Sequence, residues 1–226
     1  MKILENLIGS GDRVVDVGGN RGVYAYSFWK QGSIVEVFEP NVNCIDILSK
    51  WASDKENVHV YPVALSNRAG IADLKVPVDK SGIEHDASGS IEAHQFDDSK
   101  TQAVDVRELD SYHFEGVKLI KIDVEGHELS VIEGAQDTIR SMKPILLIEI
   151  EQRHNDMPIS NIIDKILAFG YQGIFLDKGN LVSITKFDVN QHQKPENFGI
   201  AEQRYINNFI FLDKDIVSLE ILRGKK

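Results

Sequence analysis

The sequence predicts an α/β domain built on a mainly parallel sheet, and three observations carry that prediction. Short β-branched runs alternate with segments of helical length. Glycine or proline closes each early run. One very apolar run, Pro144 to Ile150, reads as a central strand covered on both faces.

Taken in order, Leu4, Leu7 and Ile8 suggest one face of a short lead-in helix, ended by Gly9-Ser10-Gly11. Arg13-Val14-Val15-Asp16-Val17 is a buried strand, and Gly18-Gly19-Asn20-Arg21-Gly22 is the turn after it. Val23 to Gln31 has helical length, with Gly32 as its stop. Ile34 to Phe38 is a second strand closed by Glu39-Pro40, and Asn41 or Asn43 caps a helix running to about Ser53. Val58 to Tyr61 is a third strand.

The rhythm breaks over residues 70–110. Ala72 to Val78 and Gln102 to Val106 read as short strands around a polar stretch, Asp79 to Lys100, the pattern of a lid or binding loop. It resumes with Val117 to Val124, then one helical face carrying Leu129, Ile132, Ala135 and Ile139 up to Met142. After the Pro144 to Ile150 strand comes an amphipathic helix, Ile159 to Phe169. Gly173 to Leu176, Leu181 to Ile184 and Asn208 to Leu212 read as closing strands. There is no internal repeat and no linker, so residues 1–226 read as a single domain with an insertion at about 70–110.

The bulk composition removes several function classes. With 25 basic and 35 acidic residues the formal charge is −10, a poor match to a phosphate backbone, so no nucleic-acid partner is expected. The single cysteine, Cys44, suits a reducing compartment. Residues 1–11 lack the apolar run and cleavage site of a signal peptide. No window approaches roughly 18 consecutive apolar residues, so membrane insertion is not expected and the location reads as cytoplasmic.

Three constellations carry chemistry. The turn at Gly18 lets a ligand approach the backbone closely, yet it is no dinucleotide fingerprint, because Asn20 and Val23 stand where glycine would be needed. It also lacks the Lys and Ser/Thr of a phosphate-binding loop. Glu39 ends the next strand about twenty residues on, where a carboxylate accepts hydrogen bonds from ribose hydroxyls. A glycine turn, a strand-end acid and no pyrophosphate pattern together indicate a nucleoside cofactor without phosphates, and S-adenosylmethionine (SAM) fits. The third is Lys121-Ile122-Asp123-Val124-Glu125-Gly126-His127-Glu128. Its carboxylates sit where a buried strand emerges, suited to holding an ammonium, binding a metal or taking a proton, while Glu125 and Glu128 also favour a helix N-terminus. The scattered His85, Asp86, His94, Glu151 and His154 have no recognised ligand spacing, so no metal is expected.

These residues, with Ala64-Leu65-Ser66, Leu109-Asp110, Glu133-Gly134-Ala135, Pro144 to Glu149 and Asn207 to Phe211, resemble the FkbM-type methyltransferase family over roughly residues 12–212. The resemblance implies a class I SAM-methyltransferase fold, Rossmann-like and three-layered. Its seven-stranded, mainly parallel sheet has an antiparallel last strand, with an inserted loop or hairpin region. It implies O-methylation of a small-molecule or carbohydrate hydroxyl. By position Asp16, Gly18 and Asn20 line the methionine part of SAM and Glu39 holds the ribose. Ala64, Leu65 and Ser66 lie near the adenine, Asp123 lies near the sulfonium and amino group, and Gly22 and Pro40 are further cofactor contacts. His127 and Glu125 are the candidate bases, with Glu149 and Glu151 further ones. His85, Ser88, Ser90 and His94 are candidate acceptor contacts in the insertion. The rival readings are an NAD-dependent oxidoreductase and a catalytically inactive SAM-binding or partner-binding protein. The oligomeric state has no sequence signature.

Overall fold

A computed structural model of the chain describes residues 7–78, 89–92, 98–200 and 204–215. Of the lead-in helix, Leu4 lies outside the described residues, and Leu7 and Ile8 sit in a turn and an irregular stretch.

The first βαβα run follows the sequence closely. β1 (Arg13–Val17) leads into α1 (Val23–Lys30), then β2 (Ile34–Phe38), α2 (Val42–Ala52) and β3 (Val58–Tyr61). Asn41 caps α2, its side chain accepting from the Asn43 N–H at 3.0 Å. After β4 (Ala64–Leu65) come two long strands, β5 (Gly70–Pro77) and β6 (Ser99–Arg107). The remaining elements are β7 (Val117–Ile122), α3 (Glu128–Glu133), α4 (Gln136–Met142), β8 (Ile145–Glu149), α5 (Ser160–Ala168), β9 (Tyr171–Asp177), β10 (Asn180–Ser183), α6 (Val189–His192) and β11 (Asn208–Asp213).

The main sheet has the order β10-β9-β11-β8-β7-β1-β2-β3. Strands β3, β2, β1, β7 and β8 are parallel, while β11 runs antiparallel between β8 and β9. The sheet therefore has eight strands rather than the expected seven. The additional one is β10, which folds back on the edge of β9 through the two-residue turn Lys178-Gly179. Both turn residues have positive φ, 49° and 79°, the backbone that lets a two-residue hairpin follow strand twist. The insertion forms its own three-stranded sheet, β4-β6-β5, around Leu74, Val76, Val104 and Val106.

Alternation along the strands builds two apolar layers. Val14, Val35, Val37 and Leu119 face α1 and α2, packing on Ala25, Phe28 and Leu48. Val15, Val17, Ile120, Ile122, Leu146 and Ile148 face the opposite side, against Ile132, Ile139, Ile162 and Ile166 of α3, α4 and α5. The helix expected as one piece up to Met142 is broken at Gly134-Ala135. Gly134 packs so closely on the Ser66 carbonyl that a Cβ there would come within 1.9 Å of the oxygen. Asp110 then anchors the second piece, accepting from the N–H groups of Asp137 and Thr138, both at 2.9 Å, and from the Thr138 hydroxyl at 2.7 Å. No helix among the described residues is long and apolar enough to cross a membrane.

Candidate cofactor and active site

Parallel β1, β2 and β7 end side by side, and their carboxyl ends open into one cleft of about 640 Å³ including its mouth. Such a crevice is where open α/β sheets bind ligands. The chain turns out of β1 through Gly18, whose N–H, like that of Gly19, bonds the Phe38 carbonyl, at 2.9 and 3.1 Å. Gly18 has φ of 73°, and a Cβ there would lie 1.9 Å from the Asp123 carbonyl oxygen. No other residue fits between these two strand ends.

Glu39 is nearly fully buried at the end of β2. Its oxygens accept the Asn20 N–H at 2.7 Å and the Asn41 N–H at 2.8 Å. Burial pushes its carboxyl up to about 6, against the pull of those two N–H groups. One N–H per oxygen leaves each oxygen a further lone pair for a hydroxyl donor. Asn20, at φ of 48°, lies over this carboxylate and also lines the cleft.

Asp16 is completely buried, on the same face of β1 as Val14. Its register partner on β7 is Lys121. The Lys121 Nζ donates to the Gly18 carbonyl at 3.0 Å and lies 3.2 Å from Asp123 Oδ2 and 3.4 Å from Asp16 Oδ1. Tyr24 of α1 sets its ring 5.0 Å from the same ammonium.

Beyond Asp123 the chain turns sharply through Glu125, at φ of 46°, and Gly126, at 96°. The Glu125 carboxylate meets His154 Nε2 at 2.9 Å, and its carbonyl accepts the Ser90 hydroxyl at 2.8 Å. His127 has both ring nitrogens engaged, Nδ1 with the Glu92 carboxylate and Nε2 with the Ser66 hydroxyl at 2.9 Å. Glu128 turns back to accept the Gly126 N–H at 2.8 Å and the Asn155 amide at 3.2 Å. It braces the turn from within the protein, consistent with its helix-start position.

At the end of β8, Glu149 accepts from the Asn207 amide at 2.7 Å and the Asn208 amide at 3.3 Å. Burial first, then the charges of Asp123 and Glu151, pushes its carboxyl up to about 8. Glu151 goes the other way. Despite burial, Arg153, Tyr205 and Asn207 donate to it and hold it ionised.

Of the residues singled out in the sequence, Gly18, Asn20, Glu39, Pro40, Ala64, Leu65, Asp123, Glu125 and His127 line this cleft together. Asp16, Gly22 and Ser66 stand behind the lining: Asp16 on Lys121, Gly22 at the start of α1, Ser66 on His127. From the insertion, Gly89, Ser90 and Ile91 reach the cleft, whereas His85, Asp86, Ser88 and His94 lie outside the described residues. Among the described residues no group of three or more His, Cys, Asp or Glu is placed to hold a metal ion.

Sequence reasoning passed over Lys121, Tyr24 and Glu92. A lysine inside the apolar run Leu119-Ile120-Lys121-Ile122 was the available signal, since such a strand buries an ammonium only beside a counter-charge. Glu92 carried no signal, because its contact with His127 spans 35 positions.

A model of the methyltransferase FkbM domain matches residues 16–172. A methyltransferase FkbM from Methylobacillus flagellatus KT superposes with a TM-score of 0.57 at 20% identity. That match covers 90% of this chain but 44% of that one, so the chain spans less than half its length. An rRNA methylase from Streptococcus thermophilus superposes with a TM-score of 0.52 at 11% identity, covering 94% of this chain and 92% of that one. At such identities the likeness is one of fold. No curated protein matches by sequence.

Proposed function

Since the chain belongs to the methyltransferase FkbM domain family, we propose that it transfers a methyl group from SAM to a hydroxyl of a small molecule or sugar. The observation that carries this reading is Glu39, a buried carboxylate with one lone pair free on each oxygen, facing the cleft beside a glycine turn that admits no side chain. That donor set suits a ribose diol and an approaching backbone-hugging ligand, and offers nothing for a pyrophosphate.

SAM supplies a sulfonium that makes its methyl electrophilic. The chain's own work is binding, orientation and proton handling. Glu39 takes the ribose hydroxyls, with Pro40 alongside, and Ala64 and Leu65 give the adenine an apolar wall. Asp123, about one third exposed at its side chain, faces the positive end of the methionine part. Aligning two reactants in a dry cleft is worth about 7–11 kcal/mol in favourable cases, so positioning is the larger share of catalysis.

The acceptor's proton goes to a group at the β7–β8 edge. His127 and Glu125 line the cleft but already have partners, so His127 passes a proton on only through Ser66 or Glu92. Glu149 stands behind the lining at that edge, and burial pushes its carboxyl up to about 8, so it takes a proton only in its ionised form and the step should quicken as pH rises toward that value. Glu149→Gln is expected to lower kcat by about 100-fold or more while leaving SAM affinity within about twofold. An equal loss in His127→Ala with Glu149→Gln unaffected would move the base to His127.

The acidic surface argues for an uncharged or cationic acceptor over nucleic acid. The insertion, through Ser90 and Ile91, forms part of the acceptor's wall. Calorimetric titration with SAM, beside NAD and beside the double variant Asp16→Ala/Glu39→Ala, tests the reading. Binding of SAM alone, lost in the variant, supports it. Tighter binding of NAD would overturn it. A methyl-transfer assay over alcohols and sugars then identifies the acceptor.

A further inference from the structure

Lys121 occupies a position at which a strand this apolar has no ordinary use for a charge. Leu119 and Lys121 share the face of β7 that looks toward α1 and α2, because side chains alternate along a strand, and Asp123 follows just past the strand end. Register places Asp16 of β1 directly beside Lys121. The lysine side chain is only 6% exposed. Its ammonium has three N–H groups, and three acceptors surround it: the Gly18 carbonyl, Asp123 and Asp16.

We propose that Lys121 is a positioning residue of the methyl-donor site, the internal counter-ion that holds Asp16 and Asp123 together and the Gly18 carbonyl inward before the donor arrives. The inference rests on the SAM reading of the cleft and adds to it an internal counter-ion. Two carboxylates and one ammonium leave the cluster with one net negative charge. SAM carries one net positive charge, from its sulfonium, ammonium and carboxylate.

The charge balance depends on the lysine. Burial holds the Asp16 carboxyl above its ordinary range, and the Lys121 charge limits that rise. Burial pulls the Lys121 ammonium down, yet Asp16 and Asp123 outweigh it and the ammonium is held above its ordinary range. The other titratable groups acting on Asp16 are Asp123 just past β7, with Tyr24 of α1 and Glu39 just past β2 within its field, and Glu149 of β8 acts on Tyr24. None of these is a cation, so Lys121 alone opposes the effect of burial on Asp16 with a positive charge.

Replacing Lys121 by methionine keeps the length and removes the charge. Burial is then expected to favour the protonated form of Asp16, and an arriving donor cation to drive that proton off. Proton exchange on donor binding therefore distinguishes a counter-ion from a residue that merely fills space.

The experiment is calorimetric titration of the full chain with SAM at about pH 7.5, in two buffers of different ionisation enthalpy, with thermal melts to show that each variant is folded. Wild type is expected to release close to no proton. Lys121→Met is expected to bind about tenfold or more weakly and to release close to one proton, and Asp16→Asn/Lys121→Met to lose that release. A Lys121→Met chain that binds like wild type without proton release overturns the inference. So does a wild type that itself releases about one proton, an arm that stands even where the variant does not fold. A wild type that binds no SAM overturns the methyl-donor reading and this inference with it. Binding by wild type with no effect in Lys121→Met overturns this inference alone.

Discussion

Gly18→Ala and Gly22→Ala make a controlled pair, since both glycines have similar positive φ, 73° and 84°. An alanine at either pays the same backbone strain, about 1–2 kcal/mol. What differs is the space for the methyl. At Gly22 it meets the tip of the Leu48 side chain at 2.8 Å, which can rotate away. At Gly18 it meets the Asp123 carbonyl oxygen at 1.9 Å, where an ordinary carbon–oxygen contact needs about 3.3 Å. The ends of β1 and β7 must therefore separate by more than an ångström. That movement breaks the Asp123 N–H bond to the Val17 carbonyl, now 3.1 Å, and strains the core beneath. Overpacking costs about 1–3 kcal/mol and the hydrogen bond about 1 kcal/mol more. Gly18→Ala should then lose about 3–6 kcal/mol against about 1–2 kcal/mol for Gly22→Ala. Urea denaturation of the unliganded proteins, read at constant m-value, measures both. Values within about 0.5 kcal/mol of each other would refute the claim that the β1–β7 approach, rather than φ, requires glycine at position 18.

Glu39 titrates near 6 in the free protein, and only its ionised form accepts both ribose hydroxyls. SAM affinity should be full above about pH 7 and fall by up to about tenfold per pH unit below 6, while Glu39→Gln flattens the profile; a flat wild-type curve contradicts the assignment. Asp110→Ala removes three hydrogen bonds at the start of α4 and should cost about 1–2 kcal/mol by urea denaturation, a loss near zero counting against its anchoring role. Gln193 is buried, donates to the carbonyls of Ile150 and Ile206 at 2.7 and 2.9 Å, and accepts the Gln152 N–H at 2.8 Å. Gln193→Leu leaves those groups without it and should cost about 2–4 kcal/mol, visible as a lowered melting temperature; an unchanged one would mean that water replaces the amide.

Much of this protein is written locally. The strand at Val14, the turn at Gly18, the acid at Glu39 and the apolar runs of β7 and β8 are legible because each depends on near neighbours in sequence: alternation, β-branching and punctuation by glycine or proline. The family pattern is legible for the same reason, since Asp123 to Glu128 form one contiguous block. Contacts between distant segments set the rest. The break between α3 and α4 exists because Gly134 must pass the Ser66 carbonyl, a meeting across 68 positions that no helical periodicity encodes. The place of β11, antiparallel between β8 and β9, likewise joins segments about 60 and 40 positions apart. Lys121 reads as an oddity in an apolar run until strand register sets it beside Asp16. His127 reads as a free base until Glu92 and Ser66 occupy its two nitrogens. The sequence by itself determined the layers, the cleft's edge and the residue types gathered there. Only the tertiary structure decided which of those charges neutralise one another and which stay open to a ligand, because charge pairing depends on distances of a few ångströms across strands far apart in the chain.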